Sequence, residues 1–256
     1  MSYSTSQMHD FYEALGGGDV KPSGVMNYIQ HLFIAEHCAV VNRPRVLDVC
    51  CGRGLMVPLL KRFAPQIRYY VGLDICHAHL LQVIQTALRG DGCTPRFPVY
   101  LLNADASTLD SIFAITFDVI IYTSALEHLP KEAALASIRA VSKSLSGGGV
   151  LFLSTPNTPT TEPPTLQYRV HVFEWDRTDL RRVIEGCGLD IVDEIGLLPP
   201  RQSDLTSAMS DLVGLNGLAI IARLQRKVPY SFLGPVLSAC YPEVSREVLF
   251  VCTKRS

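Results

Sequence analysis

The stretch VLDVCCGRG, running from Val46 to Gly54, decides how this chain is read. Its first half is a short apolar run interrupted by one acid, Asp48, as a buried strand would be. Its second half, Gly52-Arg53-Gly54, reads as a turn into a helix. Glycine lets the backbone come close to a ligand, and a helix start offers N–H donors, so the turn can hold a nucleotide. The same turn can also serve packing alone. The neighbouring Cys50 and Cys51 raise a third reading, a thiol site.

On either side of this stretch, β-rich runs alternate with helical spacing. Strands are expected at 45–49, 69–74, 98–102, 117–122, 149–154, 189–197 and 247–252, with helices at 25–41, 55–63, 77–88, 132–145 and 176–187 and a short one near Ser107. Such alternation implies helical crossovers and a parallel sheet covered on both faces. The segment 198–242, with its apolar LVGLNGLAIIARL, reads as a helical insertion before the last strand. The polar opening 1–23, carrying Gly16-Gly17-Gly18, reads as an arm or lid, with Phe11 and Tyr12 able to reach a bound cofactor. One domain over residues 1–256 is expected.

Composition narrows the partners. Of 256 residues, 48% are hydrophobic and 18% charged, enough to bury a large core. Net charge is −1, whereas binders of long nucleic acid usually carry a basic excess, so DNA is not expected and RNA is not favoured. No apolar run was expected to reach the length of a membrane span, and the start MSYSTSQMHD has no signal-peptide character. Eight cysteines without any CxxC pair argue against a zinc knuckle or redox motif and suit reduced thiols in the cytoplasm.

In an open parallel sheet, ligands lie beyond the carboxyl ends of the strands. Asp48 marks the end of the first strand. Asp74 ends the second, 20 positions beyond Gly54, where an acid commonly takes ribose hydroxyls. Asp105, in LLNADAS after the third, suits the amino edge of an adenine. Each acid alone would more often cap a helix, but three at successive strand ends around a glycine turn point to a nucleoside pocket. A dinucleotide site fits less well, because its third glycine would fall on Val57.

Together VLDVCCGRG, YVGLD, NADAS and FDVIIYTSALEHL resemble, in order, the motifs of the class I S-adenosylmethionine-dependent methyltransferases. One departure is Cys50, where that family usually has its first glycine. The resemblance, which covers about 25–197 and the final strand, implies a Rossmann-like, mostly parallel seven-stranded sheet with helices on both faces, over which the insertion 198–242 reads as a lid. It also implies S-adenosylmethionine as cofactor, with Asp48 near the methionine amino group, Cys50, Gly52 and Gly54 against the ligand, and Asp74 with Ile75 at the ribose. Asp105 with Ala106 would meet the adenine, and Ser124 would close the pocket from the fourth strand. Cys50 and Cys51 are then packing residues.

A second constellation comprises SALEHLP (124–130), STPN (154–157) and HVFEW (171–175). Glu127, His128 and His171 are the candidate catalytic residues, and one carboxylate with two imidazoles could also bind a divalent metal such as magnesium. These segments resemble the ExxEH, TPN and HxFEW motifs of small-RNA 2′-O-methyltransferases and, in part, the O-methyltransferases of ubiquinone biosynthesis. The first acid of ExxEH falls on Ser124, a poor replacement ligand. Either the metal binds with three protein ligands, or it is lost and His128 or His171 serves as a general base. A structural role for the segment is the third option. His31, His37, His77 and His79 lie on expected helices and are left aside.

For RNA, the cationic residues on offer are Arg177, Arg181, Arg182, Arg223, Arg226 and Lys227. A small hydroxylated molecule, of natural-product or quinone type, is the preferred acceptor. It would lie beneath a roof including residues 198–200, Tyr230, Phe232 and Tyr241, which would equally suit a homodimer face. The alternatives are ribose 2′-hydroxyl methylation of RNA, methylation of a small amine, and a non-catalytic cofactor-binding scaffold subunit.

Overall fold

The computed structural model describes residues 25–88, 94–159, 166–167 and 169–255. The expected arm at 1–23, with Phe11 and Tyr12, lies outside the described residues, as does Cys93. Seven strands form one sheet: β1 (Arg45–Val49), β2 (Tyr69–Asp74), β3 (Val99–Asn103), β4 (Phe117–Thr123), β5 (Leu145–Pro156), β6 (Leu189–Leu198) and β7 (Glu247–Lys254). Their spatial order is β3-β2-β1-β4-β5-β7-β6. The β1–β2, β1–β4, β2–β3 and β4–β5 pairs are parallel, whereas β7 runs antiparallel to both β5 and β6. The chain order reverses between β1 and β4, which places the crevice for a ligand at their carboxyl ends.

Side-chain alternation divides the core between the two faces of the sheet. Leu47, Ile120, Tyr122, Leu151 and Phe250 pack with residues of α4 (Lys131–Ser144) and α5 (Arg177–Gly186). Val46, Tyr70, Ile121, Phe152 and Leu249 pack with residues of α1 (Val25–Val40) and α2 (Met56–Phe63). Because both faces are covered, the central strands read as nearly unbroken apolar runs, and an acid among them, such as Asp48, stands out.

Two elements differ from expectation. The helix expected over 77–88 is α-helical only as α3 (His77–Gln82) and continues as a π-helical segment, Val83–Leu88. Before β7 there are two helices, α6 (Leu205–Gln225) and α7 (Tyr230–Cys240), of which α7 was not foreseen because Gly234 and Pro235 break its pattern. The chain approaches α7 so closely that a Cβ on Gly196 of β6 would lie 2.1 Å from the Ser238 carbonyl oxygen. The expected aromatic roof is partly self-occupied: Tyr230 and Tyr241 pack with Leu205, Met209 and Ile221, while Phe232 is exposed. Contrary to the expectation from apolar runs, α6, with 21 residues, is long and apolar enough to cross a membrane, its most apolar 18-residue window having mean hydropathy 1.4. Its helical backbone breaks at Gly214 (φ 61°, ψ −178°), and such a break leaves backbone groups that hydrocarbon cannot satisfy.

Candidate active site

The turn after β1 takes its shape from left-handed residues. Cys50, Gly52 and Gly54 have φ of 56°, 53° and 73°. Gly54 cannot be replaced even by alanine without strain, since a Cβ would also meet Val83 Cγ1 at 2.8 Å. Cys50 adopts at some cost the conformation that glycine takes freely, which accounts for glycine being the usual residue there.

Asp74, at the end of β2, fixes this turn. One carboxylate oxygen accepts from the Gly52 N–H at 2.8 Å and the other from the Cys76 N–H at 2.8 Å. Asp48 is buried and accepts from the Tyr70 hydroxyl at 2.7 Å. Burial, with the charge of Asp74 adding to it, pushes the Asp48 carboxyl up to about 7 despite that hydrogen bond. Burial first, then nearby carboxylates, push both the Cys50 and Cys51 thiols well above their ordinary range, the opposite of what a nucleophilic thiol requires. Asp105 follows β3 and caps the 3-10 turn Ala106–Ser111 by accepting from the Ser107 N–H at 2.8 Å. Ile75 follows Asp74, with its carbonyl accepting from the Asn103 side chain at 2.8 Å.

The second constellation assembles at the ends of β4 and β5. Ser124 has φ of 49°, and this left-handed step turns the chain into the 3-10 segment Leu126–His128. The carbonyl of Glu127 accepts from the Val172 N–H at 2.7 Å, and Asn157 bridges to Trp175, so the loop after β5 returns over the end of β4. Lys131, the first residue of α4, lies over the rings of Phe173 and Trp175 at 5.3 Å and 5.6 Å. As a result, ligand-type atoms of Glu127, His128 and His171 all lie within 4.8 Å of one another. The two imidazole rings meet edge to face at 5.1 Å.

Three further residues that sequence reasoning left unassigned shape this cluster. The His171 Nδ1–H donates to Glu174, whose carboxylate also accepts from Thr158 and from the Gln167 N–H. Burial alone would raise Glu174, but these donors hold its carboxyl below the ordinary value. An ionised Glu174 places the His171 proton on Nδ1 and makes Nε2 the basic nitrogen. Thr155 donates to Glu127 Oε2 at 3.0 Å. Ser124 Oγ donates to Glu247 Oε1 at 2.8 Å. Burial first, and then the Glu247 charge, push Glu127 up to about 8, while burial and the neighbouring His171 push His128 down to about 4. Glu174 and Thr155 both lay inside the quoted HVFEW and STPN segments; Glu247 was signalled only as the one acid opening an apolar strand.

The donor set of one carboxylate and two imidazoles, with one imidazole oriented by a second carboxylate, suits a divalent transition metal or magnesium.

With this fold and edge described, the comparisons are specific. The family described as Methyltransferase domain matches residues 19–194, and the chain belongs to it. It is a class I S-adenosylmethionine-dependent methyltransferase, with the Rossmann-like sheet and helical segment before the last strand expected above. The chain is 29% identical over 140 residues to a ubiquinone biosynthesis O-methyltransferase of Histophilus somni (strain 2336), covering 55% of this chain and 56% of that protein. Its counterpart in Idiomarina loihiensis is 31% identical over 140 residues, covering 55% and 54%. The chain thus spans about half the length of the curated relatives it matches.

Among solved structures, the (4+2)-cyclase SpnF matches with TM-score 0.66 at 16% identity, over 100% of this chain and 97% of that one. The N-methyltransferase NodS of Bradyrhizobium japonicum WM9, bound to S-adenosylhomocysteine, matches with TM-score 0.61 at 12% identity, over 97% and 98%. The methyltransferase domain of bacterial CtHen1-C matches with TM-score 0.59 at 16% identity, over 90% and 100%. At such identities these likenesses concern the fold alone.

Proposed function

We propose that this protein transfers the methyl group of S-adenosylmethionine to a hydroxyl of a small molecule of natural-product or quinone type, in a reducing cytoplasm. The observation that carries the reading is the Glu127–His128–His171 cluster, with Glu127 and His171 buried and His128 half-buried, on the strand edge beside the proposed nucleoside pocket. Asp48, Gly52, Gly54, Asp74 and Asp105 would hold the cofactor. The acceptor oxygen attacks the methyl carbon in line as the carbon–sulfur bond breaks, and its proton passes to His171 Nε2 or to His128. Alternatively, a divalent metal held by Glu127, His128 and His171 would lower the acceptor's pKa, the imidazoles then serving as ligands and the proton leaving to solvent. The seven described cysteines are all free thiols, which fits the compartment.

Charge favours a small acceptor over RNA. Arg177 pairs with Glu194 and Glu243, Arg181 with Glu185 and Glu194, and Arg182 with Asp179. Three of the six cationic residues available for a phosphate groove are thus already neutralised. RNA 2′-hydroxyl methylation is the second reading, favoured by the His171–Glu174 pair inside the HxFEW-like segment.

The deciding experiment is transfer of label from methyl-tritiated S-adenosylmethionine into host extract, fractionated into small molecules, RNA and protein. Label in an organic-extractable compound that resists amine-specific chemistry is expected. Label in RNA would establish the second reading, and label in a small amine would replace the hydroxyl. Cofactor binding with no transfer to any fraction would leave a scaffold role.

A further inference from the structure

β7 is the one strand of the sheet that pairs antiparallel with β5, so its first residue, not its last, reaches the carboxyl edge. That residue is Glu247, opposite Pro156 of β5 and Leu198 of β6. The next residue, Val248, faces Thr155, whose hydroxyl donates to Glu127. Glu247 therefore reaches the same edge of the sheet from a different element than the loop that carries His171. It is held there by Ser124 Oγ, at 2.8 Å, across a sequence separation of 123 residues. Ser124 is the position at which an acid is missing from the ExxEH-like pattern. Its left-handed backbone and its hydroxyl thus do what a longer carboxylate there would otherwise prevent: they admit a carboxylate from another strand. Glu247 and Glu127 are close enough to feel each other's charge, and Glu247 also feels His171. Two carboxylates and two imidazoles brought to one edge of the sheet, with Glu247 just outside the tight Glu127–His128–His171 group, form a donor set that a divalent cation could draw together.

We propose that Glu247 is the second carboxylate of this site, replacing from β7 the acid that Ser124 lacks and completing a divalent-cation site with Glu127, His128 and His171. The assignment rests on the cluster being a ligand set, and not on which acceptor is methylated. The serine then acts as the positioning residue that aims Glu247. The site so completed carries two negative carboxylates and two neutral imidazoles, the donor balance that oxygen- and nitrogen-loving divalent ions prefer over soft ones.

The test is direct binding of Mn²⁺, followed by electron paramagnetic resonance, and of Co²⁺, followed by its visible absorption, on the full chain. The wild type is expected to bind one ion. Glu247→Gln should weaken binding by on the order of 100-fold, and Ser124→Ala by about 10-fold through loss of aim. The double variant Ser124→Glu with Glu247→Gln should regain most of the affinity, because the carboxylate returns from the other strand. Melting curves in chelator and binding of S-adenosylhomocysteine, expected unchanged in Glu247→Gln, separate loss of a ligand from loss of fold. Wild-type affinity for Mn²⁺ in Glu247→Gln would overturn the assignment, as would a wild type that binds no ion. Binding that follows this pattern in a protein that transfers no methyl group would uphold the site and sink the functional reading instead.

Discussion

On the side of the sheet edge proposed to hold the cofactor, the candidate residues lie close in sequence and hold one another through the backbone. Asp74 accepts from the Gly52 and Cys76 N–H groups, so a single carboxylate fixes both the β1 turn and the start of the helix after β2. On the side proposed for the acceptor, Ser124, Glu127, Thr155, the His171–Glu174 pair and Glu247 come from four segments and meet largely through side chains. The first arrangement ties cofactor binding to the integrity of the fold. The second lets the chemistry change while the fold stays, because most of its contacts join one exchangeable side chain to another.

That contrast can be broken most severely at its two centres. Asp74→Ala should abolish measurable cofactor binding and also lower stability by about 1–3 kcal/mol, since it strands two buried N–H donors; calorimetric titration and thermal melting check both effects. His171→Ala should instead lower kcat by about 10²–10⁴-fold while S-adenosylhomocysteine binds as before. Equal damage to binding and turnover in both variants would erase the distinction. Glu174→Gln sharpens it, with a smaller fall of about 10–100-fold in turnover and an altered pH profile, because the amide no longer fixes the His171 tautomer.

A further test concerns protons on the cofactor side. The Asp48 carboxyl is raised from 3.8 to about 7, chiefly by burial, so its protonated form is the one the empty protein favours. The stability this provides is complete below about pH 4 and is lost as pH rises toward and through about 7. Asp48→Asn should flatten that slope and leave the empty protein more stable at pH 8, by on the order of 4 kcal/mol at most. Cofactor binding should tighten from pH 6 to 8 with release of a proton, because a cationic amino group favours the ionised acid. Titrations in buffers of different ionisation enthalpy measure that proton directly. The smallest effect is expected at Cys50: glycine there should change stability by less than about 1 kcal/mol, relief of strain offsetting lost packing, whereas the β-branched valine should cost about 2 kcal/mol.

The same contrast governs what the sequence revealed. Strands β1 and β2 and the residues at their ends were legible, because buried parallel strands leave apolar runs with conspicuous acids and glycines at their edges. Glu127, His128 and His171 were legible as a group from their places after the fourth and fifth strands, which the resemblance reinforced, and the structure brings them together. Glu247 and Tyr70 were not legible. Tyr70 sits in an apolar strand and looks like core, yet its hydroxyl holds Asp48. Glu247 depends on β7 running antiparallel, a property of the sheet and not of any local pattern. The two helices before β7 blurred for a related reason: Gly214, Gly234 and Pro235 interrupt the helical period without ending the helices.

The position of β7 also sets an order of events during synthesis. β6 pairs in the sheet with β7 alone, and β7 lies between β5 and β6. A growing chain that has not yet delivered residues 247–254 therefore has nowhere to seat β6, and its acceptor edge lacks Glu247 and the partner of Ser124. The cofactor turn, made early from neighbouring residues, has no such dependence. A half-made molecule could hold its methyl donor before it has anything to aim it with, and β7 acts as a safety catch released only once that strand has been delivered.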